Sequence, residues 1–133
     1  MKIHSEDEML ELGEKFFDSL KLPAVIELIG DVGAGKTTFT RGLAKGMGIS
    51  EPVTSPSFMI SKKYAGTRGN LTHYDFYRLD DPGIMAEDLA DSLLEDNSVV
   101  VVEWGGDVEG ILPNDRIRIE INLNNDGSRE INL

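Results

Sequence analysis

The sequence contains no cysteine among its 133 residues. Without thiols it can form no disulfide bond, no thiolate zinc site, no iron–sulfur cluster and no cysteine nucleophile. It also lacks any apolar run of transmembrane length, which excludes a spanning helix. Its N-terminal region alternates acidic with apolar side chains, unlike a signal peptide. Together these absences predict a cytoplasmic protein without a membrane segment.

Basic residues are scarce. The sequence has 13 lysines and arginines but 24 aspartates and glutamates, which gives a formal net charge of −11. This balance argues against broad nucleic-acid binding, including DNA binding, by the chain alone. Residues 36–78 are nevertheless basic. This basic third is either a chance run of solvated side chains or a surface that faces phosphates or an anionic partner.

Length and pattern predict an α/β fold in a single domain spanning residues 1–133. Ser5 and Glu8 form a capping box that predicts the start of a helix, which Pro23 would stop. Alternating isoleucines followed by Asn-Asp-Gly predict a C-terminal antiparallel hairpin. The other predicted elements are strands at 24–29, 58–64, 71–77 and 99–102, hairpin strands at 116–123 and 129–133, and helices at 37–47 and 82–95. The prediction is a mixed β-sheet flanked by helices.

Residues 30–37, GDVGAGKT, fit the pattern G-x-x-x-x-G-K-[ST] of a P-loop at every fixed position. Glycines let successive backbone N–H groups point at a phosphate, and the next helix adds the positive end of its dipole. Lys36 would reach the β- and γ-phosphates, and the Thr37 hydroxyl would hold Mg²⁺. A plain glycine-rich turn is the alternative. The predicted nucleotide-binding residues of this loop are Asp31, Val32, Gly33, Ala34, Gly35, Lys36, Thr37 and Thr38.

Glu103 directly follows a run of four valines. A P-loop needs a carboxylate at the end of a neighbouring buried strand to hold Mg²⁺ or its water, and open α/β sheets bind ligands at that end. The alternative is a charged residue that simply ends a strand. Trp104, which comes next, belongs either to the core or to the site.

The sequence HYDFYR, which begins at His73, places alternate side chains on one face of a strand. Asp75 is predicted to bind Mg²⁺ or to orient the attacking water. Arg78 would meet the γ-phosphate or pair with an acid. His73 taken alone is interpreted as a hydrogen-bonded structural histidine.

The run TSPSF at 54–58 places three hydroxyls around a proline within the basic third. Such a loop after a P-loop helix is where nucleotide-dependent switches lie, and its hydroxyls can contact the γ-phosphate or Mg²⁺. An ordinary turn with hydrogen-bonding side chains is the alternative.

In chain order the signals are GDVGAGKTT (30–38), SPSF (55–58), HYDFYRL (73–79), VVVVEW (99–104) and an ILPND loop (111–115). Together they closely resemble the bacterial TsaE (YjeE) family, the ATPase of tRNA threonylcarbamoyladenosine biosynthesis, over nearly the whole chain. The resemblance implies a small ATP-binding protein with weak Mg²⁺-dependent ATPase activity. It also implies TsaD and TsaB as partners, with tRNA met only indirectly through their complex.

The resemblance also implies residue roles. Lys36 and Thr37 match the family's phosphate and Mg²⁺ residues, Glu103 its second Mg²⁺-site acid, and Asp75 the aspartate of its H-x-D-x-Y-R motif. Arg129 matches a basic position near the family's C-terminus and joins the predicted nucleotide-binding residues. Lys36, Asp75 and Glu103 are therefore the predicted catalytic residues, and Thr37, Asp75 and Glu103 the predicted metal-binding residues.

Two functions remain open from the sequence. The first is an ATPase that supports tRNA modification by in-line attack of water on the γ-phosphate. The second is a nucleotide-gated binding module, in which ATP occupancy controls partner docking and hydrolysis is a slow reset. A small kinase is disfavoured because the stretch between the strands at 71–77 and 99–102 leaves little room for an acceptor-binding insert. GTP is disfavoured because no N-K-x-D motif occurs.

Overall fold

The computed structural model describes residues 1–31, 33–54, 56, 61–76 and 83–133, without the side chains of 83–85 and 107. The strands are β1 (Lys2–Ile3), β2 (Ala24–Ile29), β3 (Ser61–Gly66), β4 (Gly69–Asp75), β5 (Ser98–Glu103), β6 (Ile117–Leu123) and β7 (Arg129–Asn132). The helices are α1 (Glu6–Asp18), α2 (Lys36–Gly46) and α3 (Gly83–Ser92), with a 3₁₀ turn at Gly105–Val108.

The seven strands found in the described residues form one mixed sheet in the order β1-β7-β6-β2-β5-β4-β3. The central strand β2 is parallel to β5 and β6, and β4 is parallel to β5. The β3–β4 and β6–β7 pairs are antiparallel, so the predicted mixed sheet and C-terminal hairpin are confirmed. The parallel centre brings the carboxyl ends of β2, β4 and β5 to one edge of the sheet.

The strand β1 was not predicted from the sequence. It has two residues, pairs antiparallel with β7 and extends the sheet at that edge. A two-residue strand is too short to carry an alternating pattern, and its pairing depends on a segment at the other end of the chain. Only the tertiary contact therefore defines it.

The predicted start of α1 is confirmed. The Ser5 hydroxyl accepts a hydrogen bond from the Glu8 N–H at 3.1 Å, and the Glu8 carboxylate accepts one from the His4 N–H at 3.0 Å. The helix ends before Pro23: Ser19 caps it, and the Ser19 hydroxyl donates to the Phe16 carbonyl. The helix thus ends at Asp18, and Pro23 lies in the connection to β2. None of the helices in the described ranges is long and apolar enough to cross a bilayer.

The sheet carries a core on each face. Val99 and Val101 of β5 pack with α1 and α2, whereas Val100 and Val102 pack with the α3 side, which confirms a strand buried on both faces. On the α3 side, the Tyr74 hydroxyl bonds to Asp88 and Ser92 at 2.6 and 2.7 Å. Burial raises the pKa of this phenol far above its ordinary value, so Tyr74 stays neutral and acts as a structural link between β4 and α3.

Most of the basic third is paired within the chain. Its ion pairs on the outside of the fold are Lys45–Glu14 at 3.5 Å, Lys63–Glu95 at 3.7 Å and Arg68–Asp18 at 3.1 Å. Exposed pairs of this kind contribute little stability, but they show that part of the basic third faces acidic residues of this chain. Lys36 is different because it is buried.

Glycines allow α1 and α2 to pack in close contact. A methyl group at Gly42 would lie 2.2 Å from the Leu10 carbonyl oxygen, and one at Gly13 would lie 2.4 Å from the Phe39 carbonyl oxygen. Both obstacles are backbone atoms of a packed helix, which cannot move aside without separating the helices. The position of α2, and with it the loop that precedes the helix, therefore depends on these glycines.

We expect Gly42→Ala to lower the free energy of unfolding by about 3 kcal/mol, because overpacking a tight interface forces backbone shifts. Helix propensity alone predicts the opposite sign, a gain of about 1 kcal/mol. Urea denaturation measures the difference. Gly110→Ala is the control, since a methyl group there meets nothing within 4 Å. A Gly42→Ala protein as stable as the parent would contradict this account of the packing.

Candidate nucleotide-binding site

The loop between β2 and α2 has a backbone that only glycine adopts without strain. Gly33 and Gly35 have φ angles of +84° and +111°, in the left-handed region that disfavours side chains. A methyl group at Gly30 would lie 2.3 Å from the Ile121 carbonyl oxygen of β6. The loop is thus wound tightly against the sheet, and α2 begins at Lys36 directly behind it. This is the geometry of an anion cradle at a helix N-terminus.

Lys36 lies inside this loop with only 5% of its surface exposed. Its ammonium donates to the Gly30 carbonyl and lies 3.5 Å from the Asp31 carbonyl oxygen. The same nitrogen is 3.8 Å from Glu103 Oε1 and 4.5 Å from the centroid of the Trp104 ring. A buried cation needs such partners, and a polyphosphate would replace them with stronger ones. Lys36 is therefore placed where an entering phosphate group would meet it.

Two predicted acidic residues lie side by side at the carboxyl edge of the sheet. Glu103 ends β5 and pairs in register with Asp75 of β4, so both side chains project from the same face. The Phe76 N–H donates to the Glu103 carbonyl at 3.0 Å and holds the two strand ends together. The structure thus brings the three predicted catalytic residues, Lys36, Asp75 and Glu103, to one edge.

These residues fit a magnesium ion that arrives with a nucleotide. Among the described residues, no group of three or more histidine, aspartate and glutamate side chains is arranged to hold a metal. Mg²⁺ in phosphoryl-transfer sites needs no such cage, because one or two carboxylates, a hydroxyl, water and the phosphates complete its shell. Glu103, Asp75 and the partly exposed Thr37 would supply that donor set.

Arg129, one of the predicted nucleotide-binding residues, lies against the P-loop. Its guanidinium donates to the carbonyl oxygens of Ala34 at 3.1 Å, Gly33 at 3.2 Å and Gly127 at 2.6 Å. It therefore contacts the outer, carbonyl side of the P-loop. These hydrogen bonds tie the Gly33 and Ala34 carbonyls to β7 and so hold this part of the loop in place. Arg129 in this structure shapes the cradle from β7.

Trp104 and His73 both lie beside the predicted site. Trp104 has a left-handed backbone, with φ at 58°, and its ring covers the Lys36 ammonium. Of the two interpretations of Trp104, core or site, the structure therefore supports the position beside the site. His73 is fully buried, and its Nε2 contacts Glu103 Oε2. Its hydrogen bond agrees with a structural histidine, but its partner is a predicted site residue. Neither contact could be assigned from spacing alone.

Several predicted positions fall outside the described residues. They are Val32 of the P-loop, Ser55, Ser57 and Phe58 of the switch-like run, and Tyr77 and Arg78 of HYDFYR. The described part of the run is held at its start, because the Arg41 Nε donates to the Val53 carbonyl at 2.8 Å. The Thr54 N–H donates to the Tyr64 hydroxyl at 3.3 Å.

The comparisons with known proteins agree with one another. The family model for threonylcarbamoyl adenosine biosynthesis protein TsaE matches residues 3–131. The tRNA threonylcarbamoyladenosine biosynthesis protein TsaE of Bacillus subtilis is 44% identical over 108 residues, which cover 80% of this chain and 66% of that protein. The Haemophilus influenzae protein of the same name is 34% identical over 98% of this chain and 85% of its own length.

A solved structure extends this likeness to the fold. The crystal structure of Bacillus subtilis YdiB superposes with a TM-score of 0.81 at 34% identity, covering 98% of this chain and 80% of that chain. Sequence and fold therefore lead to the same group of proteins. The chain belongs to the family of the threonylcarbamoyl adenosine biosynthesis protein TsaE.

Proposed function

We propose that this protein binds and hydrolyses Mg²⁺·ATP to support threonylcarbamoyladenosine modification of tRNA, a cytoplasmic process. The observation that carries the proposal is the buried Lys36 ammonium, held inside a P-loop and 3.8 Å from the Glu103 carboxylate. Such a cation can bind the phosphates that enter the loop, and the neighbouring carboxylate can hold the Mg²⁺ that accompanies them. The family membership supplies the biological setting.

Each side chain has a defined task in this proposal. The loop's N–H groups bind the phosphates, and Lys36 offsets the negative charge on the β- and γ-phosphate oxygens as the bond to the γ-phosphoryl group breaks. Thr37, Glu103 and Asp75 hold Mg²⁺, which when bound supplies further positive charge to those oxygens. The carboxylates also orient the attacking water, and Arg129 keeps the loop in shape.

The position of the arginines supports weak activity in the isolated chain. Fast phosphoryl transfer in many P-loop proteins uses an arginine that contacts the transferred group, in cis or from a partner. In the described part of the chain, Arg129 and Arg41 both bind carbonyl oxygens. Arg118 lines one cavity with Gly30 and Asp31 and pairs with Glu27 at 3.3 Å. We therefore propose that a partner completes the site and stimulates turnover.

TsaD and TsaB are the proposed partners, as the family resemblance implies. The net charge of −11 suits protein partners better than direct contact with the tRNA backbone. The second candidate function is a nucleotide gate, in which bound ATP sets the docking surface and hydrolysis only resets it. Because the Arg129 and Arg41 guanidinium groups bind carbonyl oxygens, neither is directed at a transferred phosphoryl group, which favours slow hydrolysis and supports this candidate.

ATP hydrolysis by the purified chain, alone and with cognate TsaD, TsaB and tRNA, tests the proposal. We expect turnover to rise by about tenfold or more with the partners, because a completed charge clamp lowers the barrier. TsaD and TsaB without this chain provide the background rate. Equal turnover with and without the partners would overturn the proposed stimulation, and no turnover in either would overturn the ATPase.

A further inference from the structure

His73 contributes a polar side chain to the interior that folding alone does not explain. It lies on β4, has 0% of its surface exposed and aligns with Val101 of β5. Its Nδ1 has no hydrogen-bond partner among the described residues. A buried polar atom without a partner lowers stability, and such atoms are rare in native proteins. An apolar side chain would fill this position at lower cost, so the other ring nitrogen must account for the histidine.

That nitrogen, Nε2, contacts Glu103 Oε2. The carboxylate accepts, so the ring carries its proton on Nε2 in this contact. Glu103 Oε1 then faces the P-loop, 3.8 Å from Lys36 Nζ. This separation exceeds the 2.7–2.9 Å of a close ion pair, so Lys36 does not occupy the second oxygen. His73 thus binds one carboxylate oxygen and leaves the other directed at the cradle.

The terminal torsion of a glutamate is intrinsically broad, so a free carboxylate samples many orientations. A hydrogen bond from a rigid, fully buried ring removes that freedom. We propose that His73 is a positioning residue, which orients the Glu103 carboxylate so that Oε1 points at the Mg²⁺ position of the nucleotide site. This inference rests on the proposed function and deepens it, because it assigns to a buried strand residue the control of metal binding.

Two amide substitutions separate this role from a merely structural one. A glutamine places its amide nitrogen near the position of Nε2, whereas an asparagine reaches only as far as Nδ1. Both replacements are polar, and neither is larger than the histidine that it replaces. We expect His73→Asn to raise the Mg²⁺ concentration for half-maximal ATP hydrolysis roughly 10- to 100-fold, as loss of a partner to a metal ligand does. His73→Gln should stay within about threefold of the parent.

Binding provides a second readout that does not depend on turnover. The centroid of the Trp104 ring lies 4.5 Å from Lys36 Nζ. Its fluorescence can therefore follow ATP binding, measured once with Mg²⁺ and once in EDTA. Affinity in EDTA should be the same in the parent and in both His73 variants, because the cradle is intact. Affinity with Mg²⁺ should fall only in His73→Asn. Parent-like Mg²⁺ dependence in His73→Asn, or an equal defect in His73→Gln, would overturn the proposal.

A double-mutant cycle tests whether His73 acts through Glu103. In a Glu103→Ala background, His73→Asn should cause no further change in the Mg²⁺ dependence of ATP binding. Additive effects would overturn the inference. A buried amide can impair folding, so His73→Leu is measured alongside as a variant with an apolar side chain in the same interior position. It should show the same shift in Mg²⁺ dependence as His73→Asn. Failure of the parent itself to bind or hydrolyse ATP would instead refute the proposed function.

Discussion

Replacing Lys36 with alanine is expected to lower kcat/KM for ATP by about 100-fold or more. Removal of one preorganised donor at a site of developing charge costs that much in other enzymes. Lys36 is more than a single donor here, because its buried ammonium is the cation that the P-loop encloses. Its loss leaves the phosphates opposite the Glu103 carboxylate without a compensating charge. ATP binding in EDTA should weaken as well, since Lys36 reaches the phosphates without a metal.

Lys45→Ala is the matched control. It removes a lysine from the same helix, but Lys45 is exposed and pairs with Glu14 at 3.5 Å. Its kcat/KM should remain within about twofold of the parent, because an exposed pair contributes little. Steady-state hydrolysis and a thermal unfolding curve for each variant complete the measurement. A folded Lys36→Ala protein that hydrolyses ATP at the parental rate would refute the assignment of this loop.

The central part of this site could be predicted because its signals are local. The P-loop pattern defines the backbone conformation, the lysine and the helix start within eight residues. The valine run identifies a buried strand, and the first acidic residue after such a strand must lie at its carboxyl end. Lys36 and Glu103 could therefore be placed together without knowledge of the intervening chain.

Contacts that depend on distant segments could not be predicted. Arg129 reaches the Ala34 carbonyl across 95 residues, and nothing in its neighbourhood in sequence shows that it contacts the P-loop. The close approach of α1 and α2 depends on which glycines face each other. Direct contact between His73 and Glu103 depends on the register of β4 against β5, which alternation alone does not determine.

The second large effect is expected from Glu103→Gln, which keeps the shape of the side chain but removes its charge. Hydrolysis should fall by about 100-fold, because a neutral amide is a poor ligand for Mg²⁺ and a poor partner for water. The affinity for ATP in EDTA should be preserved or should rise, since a negative charge beside the phosphates has been removed. Glu95→Gln, which changes an exposed acid near Lys63, should leave both quantities unchanged.

This variant also separates the two candidate functions, because it should bind ATP without hydrolysing it. Its docking to TsaD and TsaB in the presence of ATP is measured together with threonylcarbamoyladenosine formation on tRNA. If docking survives and modification is lost, hydrolysis is required for the biological function. If both survive, occupancy of the P-loop is sufficient and the protein is a nucleotide gate. The geometry favours the first outcome, because the carboxylate that His73 holds toward the phosphate cradle can orient an attacking water as well as bind Mg²⁺, and a gate would need only the Mg²⁺.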